Sequence, residues 1–224
     1  MAGDRGNMDA ENIDALKSLL EREIASGGDE HRIRTIQALD FADMSSMAKQ
    51  ARANARGALE DDAPSQHDLS IHFEEGLGVK AEDQELSFYW SKLAAEHDFA
   101  PAQNNLANKY AKARGTLFDG KEAVRLYRLS AAKKIPEALG NLGYCCLCGE
   151  CLERDPVKAV ELLNEAIRLS EPGRQSGRAH YNLARCYEKG EGVGKDLDKA
   201  VELYRKAVEL GWEDAQTALR RLEA

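Results

Sequence analysis

A 36-residue period limits what this chain can fold into more than any single motif does. The segments "AQNNLANKY" from 102, "ALGNLGYCC" from 138 and "AHYNLARCY" from 179 each open on Ala, carry Asn three residues later and Leu four later, and close on Tyr or Cys. Ala102 and Ala138 stand 36 residues apart, Ala138 and Ala179 stand 41 apart, and Ala179 and Ala215 again 36. A weaker copy, "SQHDLSIHF", begins at Ser65. A second marker keeps the same step: Asp83, Asp119, Asp155 and Asp196 each precede a small residue by four, namely Ser87, Ala123, Ala159 and Ala200. Self-similarity at this period belongs to small units that cannot bury an apolar face alone and must stack on their neighbours. The interval of 41 against 36 places the extra residues between Asp155 and Ala179, where "SEPGRQSGR" at 170–178 reads as a longer loop.

Each unit reads as two helices. In the first, Ala, Leu and Tyr at steps of four mark one apolar face. The second is clearest in "DLDKAVELYRKAVELG", where Ala200, Leu203, Tyr204, Ala207 and Val208 fall on one side of a 3.6-residue period. Asp at the head of each second helix suits an N-cap and the positive end of the helix dipole, and Pro156 after Asp155 suits the first helical position. The glycines of "GEGVGKD" at 190–196 and "GLGVKAED" at 76–83 let the backbone turn between the two helices. They are not a phosphate loop, because the G-x-x-x-x-G-K-[ST] spacing and the preceding strand are both missing. The expected fold class is all-α: a right-handed αα-repeat solenoid of about four units, with an N-terminal helical extension.

Units of this length carrying "YNLARCYEKGEGVGKDLDKAVELYRKAVELGWEDA" at 181–215 resemble Sel-1-like repeats, relatives of the tetratricopeptide repeat. The resemblance covers residues 65–215; the fourth unit lies close to the family pattern, and the second, with "KARGTLFDGKEA" at 112–123, has no G-x-G turn. The expected order is a disordered tail at 1–8, a helical extension or cap at 9–64, and repeats at 65–101, 102–137, 138–178 and 179–214. A capping helix at 215–224 ends it. Ile13, Leu16, Leu20 and Ile24 form a helical stripe from Asp9 to Ala25, stopped by Gly27 and Gly28, and a second helical stretch over 29–60 carries Ile33, Ile36, Leu39, Met44 and Met47. These two stretches do not match the repeat; they cap the array or form a separate partner-binding helix.

Four of the five cysteines crowd into "CCLCGEC" at 145–151. In the repeat register Cys145 is equivalent to Cys186, Lys109 and His72, and Cys146 to the bulky Tyr110, Tyr187 and Phe73. Cys148 matches Lys189, and Cys151 matches Gly192. Cys146 is therefore expected in the core and Cys148 elsewhere, so plain structural thiols are the leading reading; a redox-sensitive Cys148–Cys151 pair and a zinc site are the alternatives. Some Sel-1-like proteins carry disulfides between paired helices, but the second helices here contain no cysteine.

In such arrays the first helices line the concave wall. In related tetratricopeptide arrays the matching Asn reaches an extended peptide's backbone, so the resemblance implies that role for the recurring Asn105, Asn141 and Asn182, with Asp68 in the weak first unit; an amide suits it because it both donates and accepts. The alternative is that they bond neighbouring backbone. Asn108, Tyr144 and Arg185 lie three residues further on, and Lys112, Cys148 and Lys189 seven further on, so the groove set is Asn105, Asn108, Lys112, Asn141, Tyr144, Asn182, Arg185 and Lys189. Lys112, Arg185 and Lys189 suit an acidic or carboxylate-bearing ligand. Trp90, Tyr127 and Tyr204, and Phe99, Ile135 and Trp212 at the unit ends, read as packing between units.

No H-E-x-x-H or G-x-S-x-G occurs, and His31, His67, His72, His97 and His180 pair with no nucleophile motif. No enzyme activity, cofactor or metal is expected, and the hydrolase activity associated with some secreted relatives is not carried over. A net charge of −8 argues against nucleic acid as a partner. The absence of a signal peptide or apolar span, together with an odd cysteine count, points to a cytoplasmic protein without membrane insertion. The expected function is a non-enzymatic adaptor holding a protein or peptide partner; the runner-up is a redox- or metal-responsive regulator built on the Cys145–Cys151 cluster.

Overall fold

The computed structural model describes residues 3–171 and 176–223, and among these it contains twelve α-helices and no strand. The chain divides into two compact units, with the division between Phe118 and Asp119. The first holds α1 (Gly3–Ser26), α2 (Glu30–Ala38), α3 (Ser46–Leu59), α4 (Ala63–Glu75), α5 (Gln84–Glu96) and α6 (Ala100–Lys112). The second holds α7 (Gly120–Ala132), α8 (Pro136–Cys148), α9 (Pro156–Leu169), α10 (Gly177–Lys189), α11 (Leu197–Glu209) and α12 (Glu213–Glu223).

The repeating Asp sets the start of every second helix. Asp83, Asp119, Asp155 and Asp196 are the N-caps of α5, α7, α9 and α11, and each carboxylate accepts from a backbone N–H of the first turn. Three of them also fix the turn from the other side. The N–H groups of Asp83, Asp155 and Asp196 donate to the carbonyls of Phe73, Cys146 and Tyr187, each at 2.9 Å. These are the equivalent bulky positions of the repeat, so one residue closes one helix and opens the next. Gly78, Gly115 and Gly192 share a second device. All three are left-handed, and a Cβ on them would fall 2.3, 2.0 and 2.1 Å from the carbonyl oxygens of Met47, Gln84 and Pro156. Only a hydrogen atom fits there.

That contact shows what α3 is. Met47 near the start of α3 meets Gly78 as Gln84 of α5 meets Gly115 and as Pro156 of α9 meets Gly192. The turn after α3 also matches, with Asp61 left-handed as Asp98, Lys134 and Gly211 are after α5, α7 and α11. The helix therefore fills the place of a second helix ahead of the first repeat, although its sequence does not carry the repeat pattern. The expected single stretch over 29–60 is broken in two. Asp40 accepts from the N–H groups of Ala42 and Asp43, and Asp43 from that of Ser45, which holds a loop between α2 and α3. Fully buried Arg52 locks this loop, donating to Asp9 at 2.9 and 2.8 Å and to the carbonyls of Asp40 and Asp43.

α1 begins at Gly3, upstream of the expected Asp9, so residues 3–8 are helical and not the disordered tail expected; residues 1 and 2 lie outside the described ones. Extending an existing helix costs far less than nucleating one. In its stripe Leu16 is buried, while Ile24 is 55% exposed and outside the core. Residues 172–175 of the expected 170–178 loop lie outside the described residues. The core of the first unit joins Leu16, Ile36, Leu39, Ala51, Ala55, Leu69, Phe73, Leu86 and Trp90. That of the second joins Leu163, Leu183, Ala200, Leu203, Tyr204, Ala207 and Ala215, with Trp212 packed against it.

Candidate partner-binding surface

In the second unit, α8, α10 and α12 carry the first-helix positions of the repeat. Their buried sides are small, since Ala138, Ala179 and Ala215 are closed off from solvent and let the helices approach. What remains outside is mixed polar and aromatic. Asn141 and Tyr144 on α8 are half-buried and both meet Arg178 of α10: Nη1 donates to Asn141 Oδ1 at 3.1 Å, and the guanidinium lies 4.3 Å over the Tyr144 ring. About two turns further along α10, Arg185 sits 5.9 Å over Tyr181. Tyr181 in turn packs on Tyr204 and Trp212, with ring centres 5.7 and 6.1 Å away.

Between α10 and α12 lies a cleft of about 570 Å³, lined in part by Tyr181, Arg185, Glu188, Lys189, Thr217 and Arg221, with Tyr204 among its walls. Glu188 is held by two donors, the Tyr204 hydroxyl at 2.6 Å and the Arg221 guanidinium. Burial, and then the hydrogen bond to Glu188, push the Tyr204 hydroxyl above the ordinary tyrosine range, so it stays a donor.

The residues expected from sequence divide. Asn141 and Tyr144 come together through Arg178, and Arg185 and Lys189 line one cleft. Asn105, Asn108 and Lys112 lie on α6 in the other unit, the two Asn half-buried and Lys112 exposed. Asn182 is a correction: it is only 2% exposed, and its Nδ2 has no hydrogen-bond partner among the described residues. The neighbouring elements close over it, so a ligand backbone does not reach it in this conformation. Arg178 was missed, although it stands seven residues before Arg185 and so on the same side of α10.

The thiols fall as the register requires. Cys146 is buried and Cys148 exposed, and all five cysteines are free. Cys148 bonds to Tyr144, which raises the Tyr144 hydroxyl together with burial. Cys151 is hydrogen-bonded to Cys145 instead, so the alternative reading of a Cys148–Cys151 couple does not describe the contact the fold makes. Burial pushes Cys145 up to about 12 and Cys186 to about 11, and raises Cys146 and Cys151 as well. Such thiols are held protonated and unreactive. Among the described residues no three His, Cys, Asp or Glu side chains converge as a metal ligand set, and no helix is long and apolar enough to cross a membrane.

Comparison with known proteins now adds to this geometry. The Sel1 repeat profile matches residues 63–99, 100–134, 136–171 and 177–212, well over half of the chain. The chain belongs to the Sel1 repeat family. Its fold is an all-α repeat solenoid, and Sel1 repeat proteins generally mediate protein–protein interaction as non-catalytic scaffolds. Among solved structures it is similar to a Sel1 repeat protein from Oxalobacter formigenes, at 26% identity and TM-score 0.65, over 77% of this chain and 69% of that one. It is also similar to c5321, a protective antigen of uropathogenic Escherichia coli with an SLR fold, at 26% identity and TM-score 0.62. That match covers 72% of this chain and 33% of c5321, so the chain spans about a third of that protein. No curated protein matches it.

Proposed function

We propose that this Sel1 repeat chain is a non-enzymatic interaction module that holds an extended segment of a partner protein across α8, α10 and α12. The observation that carries this is the α10–α12 cleft, whose walls combine aromatic faces with hydrogen-bonding and charged tips at half-buried and exposed positions. Packed helices lie ~9 Å apart, so three of them offer about 20 Å of wall, enough for roughly six extended residues. Asn141, Tyr144 and Arg178 would serve one end of such a segment, and Tyr181, Arg185, Lys189 and Thr217 the other. A cytoplasmic setting is part of the same proposal, supported by five free cysteines of which only Cys148 is exposed.

The test uses short peptides selected from a random display library on the whole chain. Tyr181→Ala and Thr217→Arg should weaken the selected peptides at least tenfold, about 1.4 kcal/mol, by removing one wall and filling the cleft. Val157→Arg, at a 58% exposed site on α9, should leave them unchanged. Peptides that lose affinity only on Val157→Arg would place binding on the second helices and refute the proposal.

A further inference from the structure

The second unit treats its cations in two ways. On the second helices five of them are neutralised within one turn, by i,i+3 pairs: Arg125 with Glu122, Lys158 with Glu161, Arg168 with Glu165, Lys199 with Glu202 and Lys206 with Glu209; Lys121 and Arg128 on α7 are not held in such a pair. On α10 the cations are not neutralised in this way. Arg178, Arg185 and Lys189 are spaced by seven and four residues, which sets them on one stripe of the helix, and none has a carboxylate partner among the described residues. Among the described residues Arg178 meets a neutral amide and a tyrosine ring, and Arg185 lies over another ring. A guanidinium laid on an aromatic face keeps its full charge and turns its in-plane N–H fork outward. The cleft beside the stripe adds Arg221, whose charge is answered by Glu188, and Asp214 on the first turn of α12.

We infer that the α10 stripe takes an acidic segment of the partner, binding Asp or Glu side chains through Arg178, Arg185 and Lys189. Asn141 and Tyr144 are positioning residues that hold the Arg178 fork toward the ligand. The inference rests on the α8–α10–α12 face being the binding surface. Charge favours a short acidic peptide over nucleic acid. The chain carries −8 overall, so a long polyanion is repelled, whereas a few carboxylates in contact with the stripe lie within the ~8 Å screening length.

Fluorescence anisotropy on the whole chain tests this with two labelled probes, both acetylated and amidated. One alternates Glu and Ser, and the other has Gln in place of Glu. The Glu probe should bind roughly tenfold tighter at low salt, and the margin should shrink as salt rises. Arg178→Gln and Arg185→Gln should each weaken the Glu probe several-fold and leave the Gln probe unaltered. Arg178→Lys should not restore Arg178→Gln, because an ammonium neither stacks nor forks. Asn141→Leu should weaken the Glu probe alone, while Lys158→Gln and Lys199→Gln should change neither. Equal affinity for the two probes, indifference of the Glu probe to the combined Arg178→Gln/Arg185→Gln/Lys189→Gln substitution in a chain with native circular dichroism, or tighter binding of poly-U RNA would each overturn the inference. Binding that appears only when the peptide carries a free terminal carboxylate would do the same. If both probes bind equally and both are lost on Tyr181→Ala, the acidic preference falls while the binding surface stands.

Discussion

Ala113 carries a left-handed backbone, φ 53°, at the C-cap of α6, where its counterparts at the ends of α4, α8 and α10 are Gly76, Gly149 and Gly190. A Cβ in that conformation is strained, and the residue is exposed, so nothing packs on the methyl group it would lose. Ala113→Gly should stabilise the protein by ~0.5–1 kcal/mol after the entropy gained by the unfolded chain is deducted, read as a higher urea midpoint. A lower midpoint would show that the turn does not bear this strain. The thiols give a second prediction at this scale. At pH 8 an aromatic disulfide reagent should titrate Cys148 rapidly, while Cys145, Cys146 and Cys186 react only on unfolding; rapid reaction of Cys145 would revive a redox role. Sequence legibility is uneven here. The Asp caps could be read because each is satisfied by its own first turn. Asn141 and Asn182 share one local pattern, yet one is half-buried and the other closed off, because their surroundings come from other helices.

Among elements, the second helices depend on small residues at their crossing points. Ala123, Ala159 and Ala200 are fully buried, as is Ser87 at the same place in α5. Ala200→Asp would bury a carboxylate without a partner and should cost at least ~3 kcal/mol; a loss below about 0.5 kcal/mol, the norm for surface sites, would refute the register of α11. The position held by Cys145 and Cys186 is occupied in α6 by Lys109, 1% exposed, which donates to Glu74 at 2.8 Å and to Ser87 Oγ at 2.7 Å. Burial lowers the Lys109 pKa. Burial alone would raise that of Glu74, but the hydrogen bonds from Lys109 and Arg114 outweigh it and leave it lowered. Because Arg114 still covers Glu74 and Glu74 is partly exposed, Lys109→Met should cost only about 2 kcal/mol, and the Glu74→Gln/Lys109→Met pair less than the sum of its parts. Strict additivity would mean that the two do not interact. The place of α3 was partly legible too. Ala48, Ala51, Ala55 and Ala58 are all fully buried, at helical spacing within what sequence shows as an Ala- and Arg-rich run. The missing signal was the large residue that marks the repeat elsewhere.

At the scale of the whole molecule, the raised thiols tie stability to alkaline pH. An unfolded cysteine loses its proton near 9, while folded Cys186 holds it to about 11 and Cys145 to about 12. Raised acids of this kind contribute stability that is complete below pH 9 and is lost as pH climbs through the folded values, since the unfolded chain then binds fewer protons. Urea midpoints should therefore fall between pH 9 and 11. They should fall less steeply in a Cys145→Ala/Cys186→Ala protein, even though that protein starts from a lower stability; parallel slopes would contradict the assignment. The period, the helix pairing and the all-α class were open to sequence because each repeat states them again. The proposed binding face was legible only in part: Asn141, Tyr144, Arg185 and Lys189 could be read from the register, but not Arg178, which reaches from one helix to two residues of another. The measurement closest to the central claim is site-specific photocrosslinking of a display-selected peptide on the whole chain. With a benzophenone residue at Tyr181 or Thr217, the peptide should be captured in a saturable way; with the same residue at Lys158 of α9 or Lys199 of α11, it should not. Capture from α9 and α11 with none from α10 and α12 would contradict the account.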